Sequence, residues 1–260
     1  QKLKRFCFCF FVIVLRNEVT CTPPLCMVAL DHYFDRGISP RSLKHTIYEQ
    51  KPCISRFLSL KYMKKKTTTT TENSEESLGT FSDLGLSEAT LAAIIQKGFT
   101  VPSPIQAGVI PLLLQGEKDI IGQAQTGTGK TAAFALPLLD LVDPNKSEIQ
   151  AIIMVPTREL AIQVSEEIQS FTNAAKVSVQ VIFGGNPINN EIKGIKKRPT
   201  IVVGTPGRIQ HHIRTSVLKL GTVKYFILDE ADEMLNVGFR KEIESILELT
   251  PKHRRILLFS

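Results

Sequence analysis

A chain of 260 residues, 43% hydrophobic and 22% charged, can bury a sizeable core, which excludes wholesale disorder. Its formal net charge of +7 points to an anionic partner such as nucleic acid or a membrane surface, but the charge is unevenly placed. Residues 1–62 carry 10 basic and 4 acidic side chains and residues 63–260 carry 22 and 21, so the excess belongs almost wholly to the first quarter.

That quarter also holds all five cysteines, Cys7, Cys9, Cys21, Cys26 and Cys53. The number is odd, and neither Cys7-x-Cys9 nor the interval from Cys21 to Cys26 makes a paired zinc module, so unpaired thiols in a reducing compartment are expected. Phe6 to Leu15 is a run of ten apolar residues behind Lys2, Lys4 and Arg5, which imitates the start of a signal peptide. A spanning helix needs about 20 such residues, and no A-x-A cleavage pattern follows. A cytoplasmic location is expected, with organelle targeting by the basic, acid-poor residues 1–62 as the alternative. The chain starts with Gln, whereas Met63 opens Met63-Lys64-Lys65-Lys66, five threonines and a polar stretch to Thr80. This pattern predicts that translation begins at Met63, with residues 1–62 an atypical basic leader read through from upstream and residues 63–80 a polar, disordered segment.

From residue 81 the apolar pattern alternates in kind. Ser87 can cap a helix carrying Leu91, Ile94 and Ile95, and Pro104 can begin a second helix running through Leu114. Short β-branched runs follow, each leading through a polar loop into a helical pattern: Asp119 to Gly122, Ala151 to Val155, Val177 to Phe183, Thr200 to Gly204, Val223 to Leu228 and Ile256 to Phe259. Strand alternating with helix implies βαβ units and a mostly parallel sheet flanked by helices on both faces, an α/β domain over residues 81–260. Such sheets bind ligands at the carboxyl ends of their strands, so the loops there are where chemistry is expected.

The first of these loops reads Ala124-Gln125-Thr126-Gly127-Thr128-Gly129-Lys130-Thr131. Phosphates need backbone N–H groups at close range, a cation, and a hydroxyl to help hold Mg²⁺; Gly127 with Gly129, Lys130 and Thr131 supply these in order. The strict phosphate-loop pattern is missed only at its first position, where Ala124 replaces Gly. The strand Val223 to Leu228 runs directly into Asp229-Glu230-Ala231-Asp232. Asp229, first off the strand, is suited to hold Mg²⁺ through water, and Glu230 to orient or deprotonate an attacking water.

Together these segments are identified as a resemblance to the first RecA-like domain of the DEAD-box RNA helicases, a P-loop NTPase fold. It covers Phe81 to Ser260 and rests on AQTGTGKT at 124–131, PTREL at 156–160, Gly184-Gly185, TPGR at 205–208 and DEAD at 229–232. The Ala at the start of the phosphate loop is the family's habit too. Upstream, Gly98-Phe99-Thr100-x-Pro102-x-Pro104-Ile105-Gln106 resembles the Q motif, with Phe81 as its isolated aromatic. The resemblance implies that Gln106 reads the adenine edge, where an amide can match adjacent acceptor and donor, and that Phe81 packs near the base. It also implies that Thr157, Arg158, Gly184, Gly185, Thr205, Gly207 and Arg208 line an RNA track, contacting phosphates and sugars without reading bases. Lys193, Lys196, Lys197 and Arg198 are read instead as a solvated helix end.

Ser260 falls at the Ser of the family's Ser-Ala-Thr motif. The resemblance implies a second RecA-like domain bearing arginine fingers, with Asp232 and Ser260 coupling the two. The expected function is an ATP- and Mg²⁺-dependent RNA helicase, with little hydrolysis by this chain alone. A non-catalytic RNA clamp or annealing factor is the alternative, and a DNA-translocating motor a third reading that the Q motif and DEAD sequence disfavour.

Overall fold

Most of the strand-forming runs are apolar over several residues, which suits strands covered on both faces, whereas Val177–Phe183 is interrupted by Ser178 and Gln180. The computed structural model describes residues 79–116, 118–172 and 176–260, together with the backbone of residues 11–15. The five cysteines, Met63 and most of the 63–80 segment lie outside the described residues, so the expectations attached to them do as well.

Seven strands form one sheet: β1 (Phe11–Leu15), β2 (Asp119–Gln123), β3 (Ala151–Met154), β4 (Val179–Ile182), β5 (Ile201–Gly204), β6 (Tyr225–Leu228) and β7 (Arg255–Phe259). Their spatial order is β1-β2-β7-β6-β3-β5-β4. Every pair from β2 to β4 is parallel, and β1 adds an antiparallel edge, with Phe11 opposite Gln123 and Leu15 opposite Asp119. The mostly parallel α/β sheet expected from the sequence is therefore present. The edge strand was not anticipated, because a ten-residue apolar run carries no signal that separates strand from leader.

The helices are α1 (Glu88–Gln96), α2 (Pro104–Gln115), α3 (Lys130–Leu141), α4 (Arg158–Phe171), α5 (Ile188–Lys196), α6 (Pro206–Arg214), α7 (Ala231–Val237) and α8 (Arg240–Glu248). A short 3-10 turn, Phe81–Leu84, precedes them. Side chains alternate across each strand. Ala151, Ile153, Ile201, Val203, Ile227 and Leu257 join one core with α1 to α4, while Ile152, Val202, Phe226 and Leu258 are buried outside that cluster, on the opposite face. On that second side α6 and α8 are tied by Gln210 Nε2 donating to Ser245 Oγ at 2.8 Å. Lys193 and Lys196 occupy the last turn of α5, as expected.

Two polar clamps fix the first layer. Arg255 at the start of β7 donates Nη1 to Leu113 O (2.7 Å) and Nη2 to Lys118 O (3.0 Å), satisfying carbonyls at and beyond the end of α2 that have no helical partner. Asp140 on α3 accepts from Ser87 N (2.8 Å), Ser87 Oγ (2.6 Å) and Thr90 Oγ1 (2.5 Å), which ties the first turn of α1 to α3. The face α1 buries is Thr90, Ala93 and Ile94. Ile95, one position further round, is 74% exposed, so the expected apolar stripe is narrower than the sequence suggests. Because three bonds converge on one carboxylate, Asp140→Ala should lower stability by about 2 kcal/mol. The urea midpoint should fall with an unchanged slope; an unchanged midpoint would show the clamp to be energetically silent.

Candidate active site

The loop after β2 is shaped by Gly127 and Gly129, whose φ values of 81° and 82° place them in the left-handed region that favours glycine. Gly129 is the N-cap of α3, so the first-turn amides of that helix face the loop. Gln125, Thr126 and Gly127 are exposed and Ala124 is half-buried. Thr128 turns its hydroxyl back to Gln125 O at 2.6 Å, stiffening the turn. The base of the loop is anchored by its neighbour: Ser260 N donates to Gly122 O and Ala124 N donates to Ser260 O, each at 3.1 Å. A Cβ on Gly122 would overlap the Phe259 ring, which explains a glycine inside this strand.

Lys130, the first residue of α3, is only 6% exposed, and its Nζ lies 2.9 Å from Glu230 Oε1. Glu230 follows β6 with φ 51° and ψ 48°, a left-handed conformation that is costly for a residue with a Cβ. Its N–H caps the neighbouring carboxylate, donating to Asp229 Oδ1 at 3.1 Å. Asp229 is 5% exposed, and its carboxyl is pushed up to about 6. Burial is the main cause and the Glu230 charge adds to it; Lys130 and the Glu230 N–H oppose the rise, and Glu167 adds a smaller increment. Glu167, on α4, is itself raised by burial, against a hydrogen bond from the Thr131 side chain and the charge of Lys97. No sequence motif pointed to Glu167; it enters because α4 carries it back beside the phosphate loop.

Gln106 is buried and committed. Its Oε1 accepts from Ser103 N at 2.8 Å, and its Nε2 donates to Gly129 O at 3.2 Å, so a Cβ on Gly129 would collide with it. An amide has two donors and two lone pairs, which leaves one of each for a base edge. Phe81 is 5% exposed and belongs to the core, so its ring has almost no open face for a base. Phe99 is 41% exposed and packs at a tilt of 37° against Phe171, with ring centroids 6.2 Å apart, while Thr100 beside it is exposed.

The residues expected at the RNA track converge on the ends of β3, β4 and β5. Thr157 caps α4 by accepting from Leu160 N at 3.2 Å. Arg158 stacks over the Phe183 ring at 4.9 Å and lies beside Gly185. Gly184 and Gly185 are exposed, Gly185 with φ 91°, and Gly207 is open to added volume. Thr205 N donates to Ile182 O at 3.2 Å, joining the β5 loop to β4. Arg208 is less free than its motif suggests: Nε donates to Glu191 Oε2 at 2.7 Å and Nη2 to Asn186 O at 3.0 Å. Asp232 sits in the first turn of α7, half-buried and already engaged, three residues from Asp229. Among the described residues no group of three or more His, Cys, Asp or Glu side chains is arranged to hold a metal.

A family model described as DEAD/DEAH box helicase matches residues 103–260. The ATP-dependent RNA helicase CshA of Limosilactobacillus reuteri is 54% identical over 180 residues, which cover 69% of this chain and 36% of that protein. DEAD-box ATP-dependent RNA helicase CshA of Bacillus cereus is 55% identical over 181 residues, 70% of this chain and 34% of its own length. The chain thus spans about a third of the length of these curated relatives. Among solved structures, a DEAD box protein from Methanococcus jannaschii superimposes with a TM-score of 0.67 at 54% identity, covering 70% of this chain and 49% of that one. Dbp5 of S. cerevisiae bound to RNA and ADP BeF3 gives 0.63 at 35% identity, covering 70% and 46%.

Asp229 yields a pH-dependent stability. Its folded value of about 6 lies above the ordinary 3.8, so the folded state binds the proton more tightly. The resulting stabilisation is complete below pH 3.8 and is lost as pH rises through about 6. Asp229→Asn, which cannot ionise, should therefore raise the melting temperature of the ligand-free protein at pH 8 and change it little at pH 4. Equal shifts at both pH values in thermal melts would count against the burial of this charge.

Proposed function

Because this chain belongs to the DEAD/DEAH box helicase family, we propose that it is the nucleotide-binding RecA-like domain of an ATP-dependent RNA helicase. The observation that carries the reading is the Lys130–Glu230 pair, a phosphate-loop cation held against the carboxylate that follows β6. ATP binding would draw Lys130 from Glu230 onto the phosphates, exchanging one charge-assisted contact for another. That exchange frees Glu230 to accept a proton from an attacking water. The amides from Ala124 to Thr131, opened by Gly127 and Gly129, are suited to cradle phosphate oxygens. The unused donor and lone pair of Gln106 suit adenine, and the exposed ring of Phe99 offers a better stacking face than Phe81.

The acidic pocket fits Mg²⁺. Asp229 is raised by burial and by Glu230, a repulsion that a divalent cation relieves, and hydroxyl and carboxylate are the hard donors it prefers. Thr131 and Asp229 would hold the ion, the latter through water; when bound it supplies charge neutralisation to the phosphates. RNA would lie across Thr157, Arg158, Gly184, Gly185, Thr205, Gly207 and Arg208, with a second RecA-like domain closing over both ligands and contributing arginines, in a cytoplasmic protein. The convergence of Lys130, Asp229 and Glu230 favours hydrolysis over a non-catalytic clamp.

Two variants test the assignment in the helicase that carries this domain. Lys130→Ala should abolish nucleotide binding measured by calorimetry or fluorescent-nucleotide titration. Glu230→Gln should retain bound ATP while RNA-stimulated turnover falls by about 10²- to 10⁴-fold; normal turnover would exclude Glu230 as the base. RNA affinity should depend shallowly on salt, with a slope of log K against log[salt] near the −0.7 per phosphate contact of single strands times two to four contacts. A much steeper slope in a salt titration would mean that diffuse charge, not this surface, binds the RNA.

A further inference from the structure

We propose that Glu191, which lies outside every motif described above, is a positioning residue for the RNA surface, holding Arg208 and the Gly184–Gly185 turn in one arrangement. The inference rests on the RNA-binding reading of that surface. Glu191 is on α5, on a helix whose neighbours at residues 188–190 are exposed, yet it is 0% exposed itself. Burying a carboxylate is unfavourable unless its oxygens are satisfied, and here both are. Oε1 accepts from Phe183 N at 3.0 Å. Oε2 accepts from Arg208 Nε and faces His212 Nε2, both at 2.7 Å. His212 is fully buried, and in the tautomer with its proton on Nε2 it donates to Glu191 Oε2.

These bonds close a ring around the glycine turn. At its start, the Phe183 N–H is fixed by Glu191; at its end, the Asn186 carbonyl is fixed by Arg208 Nη2, which Glu191 orients. Gly184 and Gly185 between them have no side chains to hold them, so the direction of their amides depends on the two clamped ends. Arg158 stacks on the Phe183 ring and inherits the same reference. A guanidinium has five N–H donors, and Arg208 spends two of them in this ring, leaving the rest in a fixed fork for a phosphate. One buried carboxylate thereby sets the geometry of three candidate RNA-contacting groups on three different loops.

The experiment uses Glu191→Gln, which keeps the shape of the side chain. Whichever way its amide turns, an NH₂ group faces either Phe183 N–H or the donors of Arg208 and His212, so one clamp is lost. Affinity for a short single-stranded RNA of mixed sequence should fall about tenfold, the scale of one charge-assisted hydrogen bond, with nucleotide affinity unchanged. Hydrogen exchange should quicken at residues 183–186 and stay constant in the phosphate loop. Wild-type RNA affinity in the variant overturns the proposal. If the wild-type chain itself retains no RNA, the RNA reading falls instead, and exchange at 183–186 alone decides whether Glu191 fixes the turn. Should Glu191→Gln fail to fold, Arg208→Lys at its partly exposed position tests the same link: it keeps the charge but not the fork, and unchanged exchange at Gly185 and Asn186 would refute it.

Discussion

The ion pair between Lys130 and Glu230 is the contact on which the site depends. Its partners stand 100 residues apart in sequence and meet at 2.9 Å. In the sheet β7 lies between β2 and β6, so the pair reaches across the carboxyl end of β7. Ser260 there bonds Gly122 O and Ala124 N, the backbone on both sides of Gln123, where β2 passes into the phosphate loop. A buried ammonium needs an opposite charge, and here it has two carboxylates nearby. Burial, together with the Glu230 charge, raises Asp229, a repulsion that only added positive charge would relieve. Glu230 adds backbone strain to this balance, which the flanking strand and helix must hold in place.

Parallel order divides the carboxyl edge of the sheet into two halves. The loops of β2, β7 and β6 carry the residues proposed to hold nucleotide, and the loops of β3, β5 and β4 carry those proposed to meet RNA. No strand serves both. α4 borders both halves: Thr157, its N-cap, and Arg158 stand at one end, and Glu167, further along, contributes to the environment of Asp229 and Thr131. Each half also has its own buried carboxylate, Asp229 in one and Glu191 in the other.

Much of this was legible before the fold was known. All six parallel strands fall within the β-branched runs read from the sequence or within a residue of them, because strands covered on both faces are largely apolar; β4, at the edge, keeps Gln180. The glycines of the phosphate loop were legible because left-handed backbone admits few other residues. Ile95 misled because helical spacing identifies a stripe but not its width. Phe81 belongs to the buried core, which the sequence did not reveal because an aromatic in a motif looks the same whether it meets a ligand or fills the core. Glu191, His212 and Glu167 were invisible: each is an ordinary polar residue on a helix, and only its burial distinguishes it. The net charge points to an anionic partner from residues outside the proposed site, since the basic excess lies in residues 1–62.

By itself, then, the sequence determined the chemical inventory: which loops carry amides free for phosphate, which strand delivers carboxylates, and in what order along the chain. These are local properties, set by residue type and spacing within a few positions. The tertiary structure decided which of those groups remain available. Gln106 gives half its amide to Ser103 and Gly129, Arg208 gives two donors to Glu191 and Asn186, and Lys130 is held by Glu230. Hydrogen-bonding capacity is finite and is consumed pairwise by partners distant in sequence, so the capacity left for a ligand is a property of the folded chain alone.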